Sequence, residues 1–382
     1  MLPGTSRTAQ PMLLLGHLDV VNARREDWKR DPYKFIEEKG WFYGRGASDM
    51  KALDAVWIDM LARFRREGYR PKRTIKLALT CGEESGARMN GAQWLAEHRP
   101  DLIKAAFALN EGGGGDTDGK GKVTTQTIQV GEKSNRSYEV EATNPGGHSS
   151  IPVDDNAIYE LGDALAKVRG YKFPLRFNDT TRTYFAKAGA ARTDAIGRAM
   201  VRLAQEPGDK AAEAAVSADR SFNSMLRTTC VATMIEGGHA ANALPQRAKA
   251  TVNCRIIPGE DGDTTRAALV RAIGDPKVTV TMVGRLRPVA VPPPLSPQIV
   301  GPAERLARKY FPGVPFLPTM SPGATDATYL APAGVPTYGV QGMWVDPDGN
   351  GAHGLDERME VRSAYTGRDY LTELVKAYAG QE

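Results

Sequence analysis

Apolar residues in the first third of the chain follow two alternating patterns. Residues 13–18 form a short apolar run that includes Gly16, which is typical of a strand buried on both faces. Between residues 50 and 64 the apolar positions follow helical spacing, and Gly68 stands where a glycine commonly ends a helix. The pattern therefore predicts a buried strand followed by an amphipathic helix.

The same alternation continues along the chain and returns after the three prolines at 292–294. The predicted elements are a strand at 74–81, a helix at 87–98 ended by Pro100, a strand at 105–109, a helix near 300–310 and a strand near 337–340. Strands that alternate with helices favour an α/β fold with helices on both faces of a sheet.

Residues 131–287 have a different texture, with polar and apolar residues alternating at 138–142 among helical stretches. This texture predicts an α+β domain inserted into the first domain. The predicted boundaries are 1–130 and 288–382 for the two parts of the α/β domain and 131–287 for the insert. Residues 171–225 are mostly helical in pattern and are interpreted as a lid extension.

Composition excludes several classes of protein. The 382 residues are 41% hydrophobic and 25% charged, and the net charge of +5 is spread along the chain. The densest basic run, 63–66, falls at a predicted helix end, so we expect no nucleic-acid partner. No apolar stretch is long enough for a membrane span, and the absence of a signal-peptide pattern leaves a periplasmic, secreted or cytoplasmic location open.

Three cysteines are scattered along the chain, at positions 81, 230 and 254. Their number and spacing do not match a disulfide framework or a cysteine-based zinc site. We therefore expect all three to be buried thiols.

Metal-binding side chains recur where predicted strands end or helices begin. They are His17, Asp19, Asp49, Glu83, Glu84, Glu111 and His353. The carboxyl edge of an open α/β sheet is where ligands bind. Two imidazoles and three carboxylates are the ligands that two zinc ions sharing a bridging carboxylate need, and a further carboxylate is then free to act as a base.

Local spacing suggests how the work is divided among these residues. His17 and Asp19 are two apart at a strand end and share a face, so the Asp19 carboxylate is placed to orient the imidazole. Glu83 and Glu84 are neighbours that point in different directions on extended backbone. One ligand and one general base is the natural division between them.

Nine segments in order carry a resemblance to a known family. They are GHLDVV (16–21), YGRGASDMK (43–51), CGEESG (81–86), NEGG (110–113), GGHSSIP (146–152), NALP (242–245), NCR (253–255), GATDA (323–327) and HG (353–354). The chain resembles the dizinc hydrolases that include glutamate carboxypeptidase, aminoacylase and succinyl-diaminopimelate desuccinylase. The resemblance implies a zinc-exopeptidase-like catalytic domain with a mixed sheet, interrupted by an α+β dimerisation and lid domain.

The resemblance also implies a role for each candidate ligand. His17 and Glu111 would complete one zinc site, Glu84 and His353 the other, and Asp49 would bridge the two ions. Glu83 would be the general base, the Asp49–Met50 peptide bond would be cis, and cobalt or manganese could replace zinc.

Further residues are assigned to the substrate by the same resemblance. His148 would stabilise the oxyanion. In members of the family this histidine reaches the active site of the partner subunit, which implies a homodimer. The alternative is a loop histidine capped by Ser149 and Ser150. Arg255 would grip the free carboxylate of the substrate, with Asn242 at the scissile carbonyl and Gly323 in the substrate site. An exposed strand arginine in a surface ion pair is the alternative for Arg255.

The expected function is zinc-dependent hydrolysis of a peptide or N-acyl amide bond next to a free carboxylate. A deacylase or desuccinylase of small N-acyl amino acids shares the same site and remains open. Family members usually carry more than 50 residues before the first motif, so a piece before Met1 is expected to be missing. An inactive truncated relative is therefore a further alternative.

Overall fold

The computed structural model describes residues 1–84, 89–284 and 287–380. Its helices are α1 (Lys51–Arg66), α2 (Gly91–His98), α3 (Pro100–Ile103), α4 (Ala157–Gly170), α5 (Asp179–Ala190), α6 (Ala195–Gln205), α7 (Lys210–Ser217), α8 (Arg220–Leu226), α9 (Gly262–Ile273), α10 (Pro297–Tyr310), α11 (Ala327–Leu330) and α12 (Val361–Ala379). Its strands are β1 (Met12–His17), β2 (Ile36–Glu38), β3 (Trp41–Tyr43), β4 (Ile75–Thr80), β5 (Phe107–Asn110), β6 (Gly114–Thr117), β7 (Val123–Glu132), β8 (Ser134–Thr143), β9 (Gly147–His148), β10 (Thr229–Gly237), β11 (Ala243–Leu244), β12 (Arg247–Ile256), β13 (Val278–Val283), β14 (Phe316–Ser321), β15 (Thr337–Gly339), β16 (Trp344–Val345) and β17 (Arg358–Glu360).

The largest sheet is mixed, as predicted. Its order is β16-β6-β7-β15-β5-β1-β4, and β14 pairs with β7 off this path. β1 is parallel to both β4 and β5, whereas β6 and β15 run antiparallel to β7. The parallel strands β4, β1, β5 and β15 therefore end at one edge, which is where the candidate ligands were expected.

Helices cover both faces of this sheet, and the side-chain alternation of β1 separates the two cores. Met12 and Leu14 pack with residues of α1, α10 and α12, including the fully buried Trp57. Leu13 and Leu15 face α2, α3 and α11 on the other side. The strand is buried on both faces because successive side chains point in opposite directions.

A second sheet, β10-β12-β8-β13, is antiparallel and packs against α4 and α9. β9, which follows β8, and β11, which follows β10, form a two-stranded antiparallel sheet. Helices α5–α8 form a separate apolar cluster, and α5 contacts β14 of the large sheet. The helical pattern at 171–225 is therefore present, and one face of this block rests on the α/β part of the molecule.

One helix boundary differs from the prediction. The helix predicted at 87–98 begins at Gly91, with the Asn90 side chain as its cap, and ends at His98 as predicted. Pro100 then starts a new short helix, because proline is well accommodated in a first turn. Residues 85–88, which include part of the CGEESG segment, lie outside the described residues.

The cysteines also differ from the prediction of three buried thiols. Cys230 and Cys254 form a disulfide, because they are directly opposite each other on β10 and β12, and Cys81 is an exposed free cysteine. The two cysteines are 24 residues apart in sequence, so their pairing could not be predicted without the register of the two strands. Among the described helices, none combines the length and the apolar character that a membrane crossing requires.

Candidate metal centre and active site

Five candidate ligands lie together at the carboxyl edge of the large sheet. His17 is the last residue of β1, Glu84 follows β4 and Glu111 follows β5. Asp49 precedes α1, and His353 lies in the loop before β17. Three of these segments converge because parallel strands end at the same edge, and the start of α1 and the loop before β17 reach the same place.

Asp49 stands between the two imidazoles. Its Oδ1 is 3.3 Å from Nε2 of His17, and its Oδ2 is 3.0 Å from Nε2 of His353. Each oxygen thus faces a different histidine, as a carboxylate that bridges two ions must do. The peptide bond between Asp49 and Met50 is cis, as the resemblance implied.

Two groups of possible ligands share this carboxylate. His17, Asp49 and Glu111 form one group, and Asp49, Glu84 and His353 form the other, with ligand atoms within 4.8 Å of one another in each. In the first group Nε2 of His17 lies 3.7 Å from the Glu111 carboxylate. In the second Nε2 of His353 lies 2.8 Å from Glu84.

The donor atoms of the first group fit a metal ion. Nε2 of His17 and Oδ1 of Asp49 are buried and have no hydrogen-bond partner within the described part of the chain. Buried polar atoms are normally satisfied, so two such atoms that face each other without partners fit the ligands of a metal ion. Nδ1 of His17 lies 3.0 Å from the carbonyl oxygen of Asp19, which directs Nε2 toward the cluster.

The electrostatics of the cluster point to the same conclusion. Burial and then the charge of Glu111 raise the pKa of Glu83 to about 9, and burial and then Asp49 raise the pKa of Glu84 to about 7. Burial opposes protonation of His17, yet the carboxylates of Asp49 and Glu111 raise its pKa to about 12. The site concentrates negative charge in a poorly solvated place, which favours binding of divalent cations.

Glu83 lies within reach of the same cluster, since a carboxylate oxygen of Glu83 is within 4.8 Å of ligand atoms of His17 and Glu84. The Asp19 carboxylate holds this segment, because it accepts hydrogen bonds from the backbone N–H groups of Glu83 at 3.3 Å and Glu84 at 3.0 Å. The expected bond from the His17 ring to the Asp19 carboxylate is absent, since those atoms are 3.8 Å apart. The Asp19 carbonyl makes that contact instead, and the side chain is left to position the two glutamates.

The substrate candidates are divided between two places. Arg255 lies near the end of β12, where burial and then the charge of Arg287 lower its pKa, against a smaller opposing effect of Glu83. His148 and Asn242 are exposed neighbours, and the carbonyl oxygen of Asn242 accepts a hydrogen bond from Ser149 at 3.1 Å. They lie beyond the opposite end of β12, a strand that spans about 30 Å at roughly 3.3 Å per residue. Within one chain, Arg255 therefore lies near enough to Glu83 for an electrostatic interaction, whereas His148 and Asn242 lie toward the other end of β12.

Gly323 lies in the loop after β14 rather than in the ligand cluster. Its carbonyl oxygen accepts a hydrogen bond from the backbone N–H of Lys133 at 3.2 Å. The same loop is anchored by Glu132, which accepts bonds from both the N–H and the hydroxyl of Thr325. Gly323 is thus placed at the junction between β7 and β8, where the large sheet gives way to the second one.

Several residues that shape the site were not assigned from the sequence. Asp326 is buried and accepts hydrogen bonds from Thr80 at 3.0 Å and Asn90 at 2.6 Å. Arg45 and Glu357 form a buried ion pair with 2.7 Å between Nη1 and Oε2. Arg45 and Asp326 lie inside segments that carry the family resemblance, so their motifs were a signal, whereas Glu357 had none beyond its closeness to His353.

A cavity of 270 Å³ adjoins the cluster, and its walls include Asp49, Glu111 and the glycines at 112–115. A groove of 730 Å³ between α1, α12 and the β2–β3 hairpin is lined by aromatic, small and charged side chains and contains none of the candidate ligands. The smaller cavity is therefore the one that a substrate at the ligand cluster would use.

Comparisons with known proteins agree with this geometry. The profile of Peptidase family M20/M25/M40 matches residues 13–377. The N-fatty-acyl-amino acid synthase/hydrolase of Homo sapiens is 25% identical over 98% of this chain and 75% of its own length, and aminoacylase-1 of Homo sapiens is 26% identical over 99% and 82%. The crystal structure of an M20 family metallo-carboxypeptidase from Sulfolobus solfataricus has the same fold, with a TM-score of 0.72, 20% identity, and coverage of 98% of this chain and 86% of that one. The chain therefore belongs to Peptidase family M20/M25/M40 and is a hydrolase of amide bonds.

Proposed function

We propose that this chain is a dizinc hydrolase that cleaves an N-acyl amino acid or a small peptide at the amide bond next to a free carboxylate. The observation that carries the proposal is the position of Asp49, whose two oxygens face the imidazoles of His17 and His353. His17, Asp49 and Glu111 would hold one ion, and Asp49, Glu84 and His353 the other. Nitrogen and oxygen donors in this ratio suit zinc, and cobalt or manganese could occupy the same sites.

Bound zinc would polarise the amide carbonyl and make water a better nucleophile. Glu83 takes the proton from the attacking water and passes it to the leaving nitrogen. The burial that raises the pKa of Glu83 favours this role, because a carboxylate that readily accepts a proton can hold it until the amine departs. Asp19 keeps Glu83 in place through the backbone bonds of residues 83 and 84.

Arg255 is the proposed carboxylate-binding residue. A guanidinium can bind a carboxylate through two parallel hydrogen bonds, and Arg255 lies within the electrostatic reach of Glu83. Gly323, at the junction of the two sheets, would contribute backbone to the same substrate site. This arrangement favours substrates with a free carboxylate over those with a free amine, which would need acidic partners.

We also propose that the protein is a homodimer in which His148 and Asn242 serve the active site of the partner copy. β10 lies at the edge of its sheet and exposes three large apolar residues, with Val231 at 61%, Met234 at 63% and Ile235 at 69%. An exposed apolar edge strand of this kind favours pairing with another strand. In such a dimer His148 would stabilise the oxyanion in the partner's active site, because it lies far from the ligand cluster of its own chain.

Metal analysis and one variant test the chemistry. The purified protein should contain two zinc ions per chain and lose activity with a chelator. Glu83→Gln should lower kcat by about 10²- to 10⁴-fold, since it removes a general base, and should keep both ions. Glu97→Gln, in the exposed end of α2, is the control. Full turnover by Glu83→Gln would show that the base is assigned wrongly.

The substrate class and the dimer need separate experiments. Comparing hydrolysis of N-acetyl and N-succinyl amino acids with that of dipeptides distinguishes an aminoacylase from a peptidase. Met234→Glu should dissociate the dimer in analytical ultracentrifugation, whereas Leu102→Lys, at another exposed apolar position, should not. Mixing His148→Ala with Glu83→Gln should restore partial activity if His148 acts across subunits, and no recovery after subunit exchange would contradict that role.

A further inference from the structure

Glu357 is a buried carboxylate that is not among the candidate ligands, and only 1% of the residue is exposed. Its Oε2 accepts hydrogen bonds from Nη1 of Arg45 at 2.7 Å and the N–H of Gly46 at 2.9 Å. Its Oε1 accepts from the N–H groups of Ser48 at 2.8 Å and Asp49 at 2.9 Å. All four donors belong to the stretch that ends at Asp49, so one carboxylate fixes the backbone path of that stretch.

The same residue is tied to the loop that carries His353. The carbonyl oxygen of Glu357 accepts a hydrogen bond from the N–H of Gly44 at 3.1 Å, and Nη2 of Arg45 donates to the carbonyl oxygen of Gly354 at 2.7 Å. The His353 side chain is 55% exposed, so packing does little to hold the ring. Its backbone has a φ of 59°, which is in the left-handed region. The ring contacts Asp49 and Glu84 through Nε2, and the backbone anchors set where the loop presents it.

Stability alone does not account for this arrangement. A buried ion pair is often no more stabilising than apolar residues of similar size, because both charges lose their hydration. Here the charge of Glu357 is directed at three backbone N–H groups as well as at Arg45, which also stacks over Trp28 at 4.9 Å. Such a network holds two loops in one relative position, which is what a shared metal site requires.

We propose that Glu357, together with Arg45, is a positioning residue for the metal site formed by Asp49, Glu84 and His353. Its carboxylate sets the separation of Asp49 from His353, whose facing atoms are 3.0 Å apart. This inference rests on the proposed dimetal centre. Because the carboxylate positions two of the three ligands of that site, its loss should weaken that site more than the site of His17 and Glu111, which shares only Asp49.

Stepwise zinc titration of the metal-free full-length chain against a chromogenic chelator tests the inference. Glu357→Gln keeps the shape but replaces one acceptor oxygen with an NH₂ group that faces N–H donors. One of the two dissociation constants should rise about 10- to 100-fold, as for other residues that orient metal ligands, and the other should change less. The constant that rises should be the one that His353→Ala also raises, because His353 is a ligand of the site in question. The visible spectrum of the cobalt-loaded protein should change in parallel.

Glu213→Gln is the matched control. Glu213 pairs with the buried Arg227 at 2.7 Å in the helical block, so this variant also removes a carboxylate from an arginine but leaves the metal loops intact. It should bind both ions as the wild type does. If Glu357→Gln does not fold, Arg45→Lys replaces it, since lysine keeps the charge but cannot bind Glu357 and Gly354 together.

The outcomes separate the inference from the proposed function. A wild type that binds fewer than two ions refutes the dimetal centre itself. A wild type that binds two ions, with a folded variant that binds both at wild-type affinity, overturns only the role of Glu357. Equal weakening of both ions would mean that Glu357 supports the fold in general, and would also overturn the role.

Discussion

Lys133 is a fully buried lysine, and within residues 1–84, 89–284 and 287–380 its ammonium group donates hydrogen bonds only to hydroxyl groups, those of Ser224 at 3.4 Å and Thr229 at 3.2 Å. Burial, with a smaller effect of the Arg255 charge, lowers its pKa from 10.5 to about 7. In the unfolded chain the same group is charged up to a pH near 10.5. Folding at neutral pH must therefore either remove a proton or bury a charge.

Replacing Lys133 by Met removes this cost while keeping a flexible side chain of similar length. At about 1.4 kcal/mol per pKa unit, the lysine destabilises the folded state by about 4 kcal/mol at pH 7 and by about 2 kcal/mol at pH 9. The sign follows because the unfolded state binds more protons between pH 7 and 10.5, so the stability of the wild type rises with pH in that range. Lys133→Met should be more stable than the wild type, and its advantage should shrink as the pH rises.

Urea unfolding of both proteins at pH 7, 8 and 9, followed by circular dichroism, measures this difference. Lys172→Met, at an exposed position in the same inserted segment, is the control and should show no such trend. A Lys133→Met variant that is less stable than the wild type, or whose advantage is the same at pH 7 and pH 9, would refute the reasoning.

Three further predictions concern the core, the disulfide and the substrate. Trp57→Ala should lower the unfolding free energy by about 3–5 kcal/mol because Trp57 is fully buried, whereas the half-exposed Ile58→Ala should change it little; similar losses would contradict the packing. Replacing Cys230 and Cys254 by Ser opens a 24-residue loop and should lower the unfolding free energy by about 3 kcal/mol. The urea midpoint should fall accordingly, and adding a reductant should lower the midpoint of the wild type but not that of the variant. Arg255→Met should raise KM for an N-acyl amino acid about 10- to 100-fold, because a charged hydrogen bond to the substrate carboxylate is lost. KM for the same substrate with its carboxylate converted to an amide should not change, and equal effects on both substrates would exclude carboxylate binding.

The α/β part of the fold was predictable because its strands are buried on both faces. A continuous apolar run such as residues 13–18 and a helical pattern such as 50–64 are strong local signals, and both elements are where they were expected. β14 was missed because Pro318 and Thr319 interrupt its apolar pattern. Its pairing with β7 is supplied by the sheet rather than by its own sequence.

The candidate ligands were predictable from residue type and position at strand ends, and the structure brings all five together. Contacts that depend on register or on a long return of the chain were not. The disulfide needs β10 and β12 to be aligned, and Glu357 acquires partners about 310 residues earlier in the chain. Sequence spacing carries no information about either contact, because both arise only after the sheets have formed.

The crowding of carboxylates around His17 means that protons and metal ions compete for the same atoms. The pKa of His17 lies far above its usual range, so an entering ion must displace the proton from that imidazole. For each proton released on binding, apparent metal affinity falls about tenfold per unit decrease in pH. Acidification would therefore lower the fraction of molecules that carry metal, so the pH of the surroundings would set how much of the protein is loaded.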